Sequence, residues 1–184
     1  MPGKEYNEER IVAQLKDKNL RAGAFSAIVK EHSQEIYRHV RRMVLVHDDA
    51  DDIVQNTFVK AWINIDSFQG KSRISTWLYR IAINETLTFL NRSRGTLISL
   101  DTPEGSIAEQ LESDTFFNGD RADAMLQEAI ARLPQKQRLV FNMKYYEEMK
   151  YEEISAILDT SVGALKASYH IAVKKIEEYL SKAD

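Results

Sequence analysis

Apolar residues in this chain recur at helical spacing almost everywhere except between Gly95 and Asp120. That stretch, GTLISLDTPEGSIAEQLESDTFFNGD, holds six carboxylates and neither lysine nor arginine. It contains Gly95, Pro103, Gly105 and Gly119 and keeps neither a 3.6 nor a 2 residue period. It reads as an acidic linker over 95–120, with one helical turn expected about Ile107–Leu111. A chain of 184 residues interrupted in this way folds as two small domains, 1–94 and 121–184.

Both blocks read as all-α. Only 7 Gly and 3 Pro are present, too few for a turn-rich β architecture. Phe25, Ile28, Val29, Ile36, Val40 and Val44 mark a helix within 24–46. Val54, Phe58, Ala61, Trp62 and Ile65 form the expected core stripe of a second helix over 48–66. A third is expected from Ser75 to Ser93, after the loop FQGKS. The C-terminal block predicts helices near 121–132, 135–147, 151–158 and 162–181, with Pro134 separating the first two.

Charge and composition narrow the function. Cysteine is absent, which excludes disulfides and thiolate sites and suits a cytoplasmic protein. No apolar run approaches a membrane span, and the opening MPGKEYNEER lacks a signal-peptide core. The net charge of −3 argues on its own against nucleic-acid binding. Its distribution argues otherwise: the acids concentrate in the linker, leaving residues 1–94 net basic and 121–184 neutral.

Asp48, Asp49, Asp51 and Asp52 crowd the start of the second helix. On a helical wheel Asp48, Asp52, Gln55, Asn56, Val59 and Ile63 fall on an arc away from the expected core. On spacing alone three uses stay open. The acids could favour the helix N-terminus through the helix dipole. They could dock a partner helix that carries Arg or Lys among apolar residues. Asp48-Asp49-x-x-Asp52 also has the form of a Mg²⁺-diphosphate motif, but no second acidic ligand set accompanies it.

Phe68, Gln69, Gly70, Lys71, Ser72 and Arg73 form a short polar loop with an aromatic at its edge. On the next helix Trp77, Arg80, Asn84, Leu87, Thr88 and Asn91 share one side, followed by Arg92. Asn and Arg can read base edges, Lys and Arg can meet phosphates, and aromatics can stack on unpaired bases. Core packing is the plainer use of Trp77.

Residues 150–180 fit a helix-turn-helix. Ile154 and Leu158 are expected to bury its first helix, and Leu165 to anchor its second. Asp159 stands where the turn needs a left-handed residue, and Ser161 is placed to cap the second helix. That helix would offer Lys166, Ser168, Tyr169 and His170, then Lys174 and Lys175.

Three stretches carry a family resemblance in fixed order: DDADDIVQNTFVKAW, FQGKSRISTWLYRIAIN, and LPQKQRLVFNMKYYEEMKYEEISAIL with SVGALKASYHIAVKKI. Together they resemble the bacterial sigma-70 family, in its short extracytoplasmic-function (ECF) form with regions 2 and 4 only. The resemblance implies a non-catalytic transcription initiation factor without cofactor or metal. It implies that Asp48, Asp52, Gln55 and Asn56 dock the β′ clamp helices of core RNA polymerase. Phe68–Arg73, Arg80, Asn84, Asn91 and Arg92 would meet the melted −10 element. Lys166, Ser168, Tyr169, His170, Lys174 and Lys175 would meet the −35 element, with this domain seated on the β flap. An inhibitory anti-sigma partner is implied too. The chain departs from the family at Asn56, where Glu is common, and at Ser168, Ile171 and Val173, where many relatives carry Arg. The rival reading is a helix-turn-helix regulator that is not a polymerase subunit.

Overall fold

A computed structural model describes residues 6–44, 46–92, 107 and 121–183. The chain divides into two compact units, residues 1–94 and 95–184. The described residues are helical and contain no β-strand. No described helix is long and apolar enough to cross a membrane. Of the helical turn expected about Ile107–Leu111, Ile107 is helical and buried; the rest lies outside the described residues.

The first unit is a bundle of α1 (Glu8–Leu15), α2 (Arg21–Arg41), α3 (His47–Ile63) and α4 (Ile74–Arg92), with a 3₁₀ turn at Ile65–Ser67. Helix α1 was not legible in the apolar pattern. Asn7 caps it by accepting the Arg10 N–H at 2.9 Å, and Ile11 and Leu15, one turn apart, bury it. Helix α2 packs against α1, α3 and α4, and α3 also packs on α4. Ile28, Ile36, Val40, Leu78, Ala82 and Ile83 fill the centre. Each large aliphatic group removed from water there contributes about 1.5–3 kcal/mol.

Helix α2 stops at Arg41, short of the expected Val46. Val44 is nonetheless buried, and the Arg41 guanidinium, itself buried, donates to its backbone carbonyl at 3.1 Å. Helix α3 is turned toward Ile53 and Thr57 relative to the expected stripe: both are buried, Val54 is only half-buried, and Trp62 is 41% exposed. Thr57 escapes a polarity-based reading because its hydroxyl donates to the Ile53 carbonyl at 2.8 Å, which cancels the desolvation cost. Thr86 on α4 does the same toward Ala82.

The second unit contains α5 (Arg121–Ala131), α6 (Gln135–Tyr145), α7 (Tyr151–Leu158) and α8 (Val162–Ala183). Helices α5, α6 and α7 each pack on α8. Ile130, Leu133, Phe141, Ala172 and Ile176 form their common core. Pro134 ends α5 and opens α6, as expected. Arg138 spans that break, donating to the carbonyls of Ala131 and Leu133; burial pushes its guanidinium down to about 10. Glu128 is fully buried and paired with Arg132 at 2.8 Å.

Candidate protein-docking and nucleic-acid interfaces

The docking face expected on α3 is an outward one. Asp48, Asp52, Gln55 and Asn56 are all exposed. Val59 and Ile63 continue the face and are 55% and 70% exposed. Trp62 adds an indole at its edge, held by Phe25 with ring centroids 5.0 Å apart. The first turn of α3 carries Asp48 and Asp49 at the positive end of the helix dipole. Even so, burial together with the charges of Asp52 and Asp48 pushes the Asp49 carboxyl above the usual carboxylate range. Mutual repulsion of this kind is relieved by a cationic partner. Nearby, His47 links Tyr37 (2.6 Å) to Asp51 (3.3 Å) and pins the helix start. Among the described residues no group of three or more His, Asp or Glu is arranged to hold a metal ion.

The second cluster surrounds the loop between the 3₁₀ turn and α4. Gln69, Gly70, Lys71, Ser72 and Arg73 are exposed, and Phe68 is half-buried. Gly70 takes φ +68°, and a Cβ there would meet Val12 of α1 at 3.4 Å. Phe68 leans on Trp77 with ring centroids 5.1 Å apart, so the indole is half-buried rather than part of the core. Helix α1 sets the far side of the loop: the Ile74 N–H donates to Glu8 Oε1 at 2.8 Å. Along α4, Arg80, Asn84, Asn91 and Arg92 are exposed. Asn84 lies one turn before Thr88, whose hydroxyl donates to the Asn84 backbone carbonyl at 2.8 Å. The result is a basic, amide-bearing edge beside a partly exposed aromatic pair. Such an edge can bind a phosphate backbone and hold an unstacked base.

The third cluster is the helix-turn-helix of α7 and α8. Asp159 takes the left-handed conformation (φ 48°, ψ 49°). The Ala164 N–H donates to Ser161 Oγ at 3.3 Å, starting α8. Glu153 reaches back to the Lys150 N–H at 2.8 Å, starting α7. Ile154 and Leu165 are fully buried, whereas Leu158, expected to be buried, is half-exposed at the end of α7.

Not every residue offered by α8 stays on its outer side. Lys166, His170, Lys174 and Lys175 are exposed. Tyr169 is half-buried and stacked on Phe141, centroids 5.7 Å apart at 15°, and burial raises its phenol. Ser168 is half-buried beside it. Lys166 Nζ sits 5.7 Å from the Tyr151 ring, with Lys144 Nζ at 5.2 Å from the same ring. Tyr151 and Lys144 were not singled out in the sequence, since the ring that gathers the two lysines lies on another helix.

Comparison with known proteins follows the same division. The family model for sigma-70 region 2 matches residues 28–96, and that for sigma-70 region 4 matches residues 123–176. The chain is 34% identical over 157 residues to the ECF RNA polymerase sigma factor SigW of Bacillus subtilis (strain 168), covering 80% of this chain and 83% of that one. It is 30% identical over 169 residues to the ECF RNA polymerase sigma-E factor of Escherichia coli (strain K12), covering 84% and 85%. Among solved structures, CnrH in complex with the cytosolic domain of CnrY aligns with TM-score 0.69 and 25% identity, over 96% of this chain and 99% of that chain. The sigma factor RpoE of Bartonella quintana, solved with the anti-sigma factor NepR, aligns with TM-score 0.63 and 23% identity, over 85% and 96%, and shares the fold.

Proposed function

The chain belongs to the ECF sigma factors of the sigma-70 family, and from that membership we propose how its two units divide the work. It is an RNA polymerase sigma factor, an initiation factor that directs core enzyme to promoters and promotes melting of the −10 region. Catalysis stays with the polymerase, and the protein acts in the cytoplasm.

Residues 1–94 bind core polymerase and the melted −10 element. The exposed α3 face of Asp48, Asp52, Gln55 and Asn56 docks the β′ clamp helices. Acids flanked by exposed Val59 and Ile63 suit a basic amphipathic helix. The loop Phe68–Arg73 with Asn84 holds one flipped base. Selection follows because only an unpaired base enters such a site. Arg80, Asn91 and Arg92 track the backbone from the exposed side of α4.

Residues 121–184 read the −35 element through α8 and sit on the β flap. Each unit alone binds DNA weakly, and polymerase raises both affinities by holding them on one promoter. The acidic stretch 95–120 is repelled by DNA and follows a basic polymerase channel. An anti-sigma factor that covers the α3 face, with its acids and exposed Val59, Trp62 and Ile63, completes the reading.

The observation that carries this assignment is the ordered match to regions 2 and 4, one in each compact unit. It favours a polymerase subunit over a stand-alone helix-turn-helix regulator, which has no use for a region 2. The test is runoff transcription by purified core polymerase on a promoter library. Promoter-specific product that depends on the chain is expected; its absence on every template would refute the reading.

A further inference from the structure

The outer face of α8 is chemically narrow. From Val162 to Ala183 the helix has no Arg, Asn or Gln, and its carboxylates begin only at Glu177. The bidentate contacts by which arginine reads guanine, and asparagine or glutamine reads adenine, are therefore missing from it, and the guanine-reading donor left near its start is Lys166, whose ammonium lies 5.7 Å from the Tyr151 ring. The face instead presents Ala164, Ala167 and Ile171 on successive turns, all exposed, with Ile171 at 45%. Gly163 begins the same face. A Cβ added there meets nothing within 4 Å, so the fold of this chain does not demand glycine, whereas close approach of a ligand would. Exposed His170, Lys174 and Lys175 flank the apolar strip, and the two lysines make its surroundings cationic and suited to a polyanion.

Thymine is the base that projects a methyl group into the major groove, and alanine-like or larger apolar side chains are its usual contacts. From these features we infer that Ala167 and Ile171 read thymine methyl groups in the upstream promoter element. Lys174 and Lys175 hold the phosphates on either side. Apolar contact then supplies specificity in this half of the promoter alongside the Lys166 donor. Tyr169 takes no part, because its ring is committed to Phe141. The inference depends on the proposed seating of α8 in the major groove and adds to it what the helix recognises.

The experiment uses the full chain with core polymerase on a promoter recovered from the library. Each −35 thymine is replaced by uracil, which removes the methyl and leaves every hydrogen-bonding group in place. Replacement at the contacted position should weaken promoter binding about fourfold, the factor carried by one methyl-sized group taken out of water. The same replacement should have a smaller effect on holoenzyme carrying Ile171→Ala with Ala167→Gly. The uracil templates probe the unaltered protein, so no folding defect can mimic the result. Equal binding to thymine and uracil templates, or recovered −35 elements lacking thymine, would overturn the inference and leave the sigma-factor assignment standing. Failure to initiate on any template would overturn both.

Discussion

Glu8 and Ile74 are joined across the first unit: the carboxylate of the short α1 accepts the first N–H of α4 at 2.8 Å. That bond fixes the end of the Phe68–Arg73 loop and serves as a helix cap supplied from another element. Glu8→Ala should cost about 1 kcal/mol, as loss of an N-cap does. Thermal or urea unfolding measures it. Glu8→Gln, which keeps an acceptor, should recover most of the loss. Equal losses in both variants would mean that the charge near the helix N-terminus matters, not the bond.

Asn84 stands on the exposed side of α4, near the loop. Asn84→Ala should lower initiation from duplex promoters about tenfold, equivalent to about 1.4 kcal/mol, and broaden −10 preference. On a template already unpaired at −10, discrimination between bases should still be lost. Unchanged output and preference in runoff assays would remove Asn84 from the base-holding site.

Asp159 tests the turn. Its left-handed backbone is one that glycine adopts freely and a β-branched residue resists. Asp159→Gly should leave stability unchanged or slightly higher. Asp159→Val should destabilise the second unit by about 1–2 kcal/mol. Circular dichroism melts of both variants decide; a Val variant as stable as the parent would contradict the strained turn.

Tyr6 supplies a pH signature. Burial, then the charges of Glu8 and Glu31, push its phenol up to about 12, and it hydrogen-bonds with His32 at 3.1 Å. A raised folded-state value means that the fold prefers the protonated phenol. The stabilisation is complete below pH 10 and is lost as pH climbs toward about 12. Stability measured across pH 9–12 should fall more steeply in the parent than in Tyr6→Phe. Parallel profiles would show that Tyr6 is not the group involved.

How far the sequence reveals this molecule depends on whether a contact is local. Helices α2 to α8 were legible because few breakers interrupt a sustained 3.6 period. The left-handed Asp159, the Ser161 cap and the Pro134 break were legible because each acts within a few residues. The outward arc of Asp48, Asp52, Gln55 and Asn56 was legible as a face, since acids and amides rarely point inward unpaired. Helix α1 was hidden by its length and its charges. Thr57 and Thr86 were hidden because a hydroxyl bonded to its own helix packs like an apolar group. Tyr169 was placed outward because the ring it stacks on, Phe141, lies on another helix. Of the candidate interfaces, the residue types were visible in the sequence; the Phe68–Trp77 pair and the Tyr151 ring between Lys144 and Lys166 required tertiary structure.

Helix α3 is the proposed surface for polymerase, and a direct binding titration against purified core enzyme tests it. The parent chain should bind one to one. Asp52→Lys with Gln55→Ala should weaken binding by at least a hundredfold, about 2.7 kcal/mol, with far-ultraviolet dichroism unchanged. Binding by this double variant as tight as that of the parent would contradict the assignment of the α3 face.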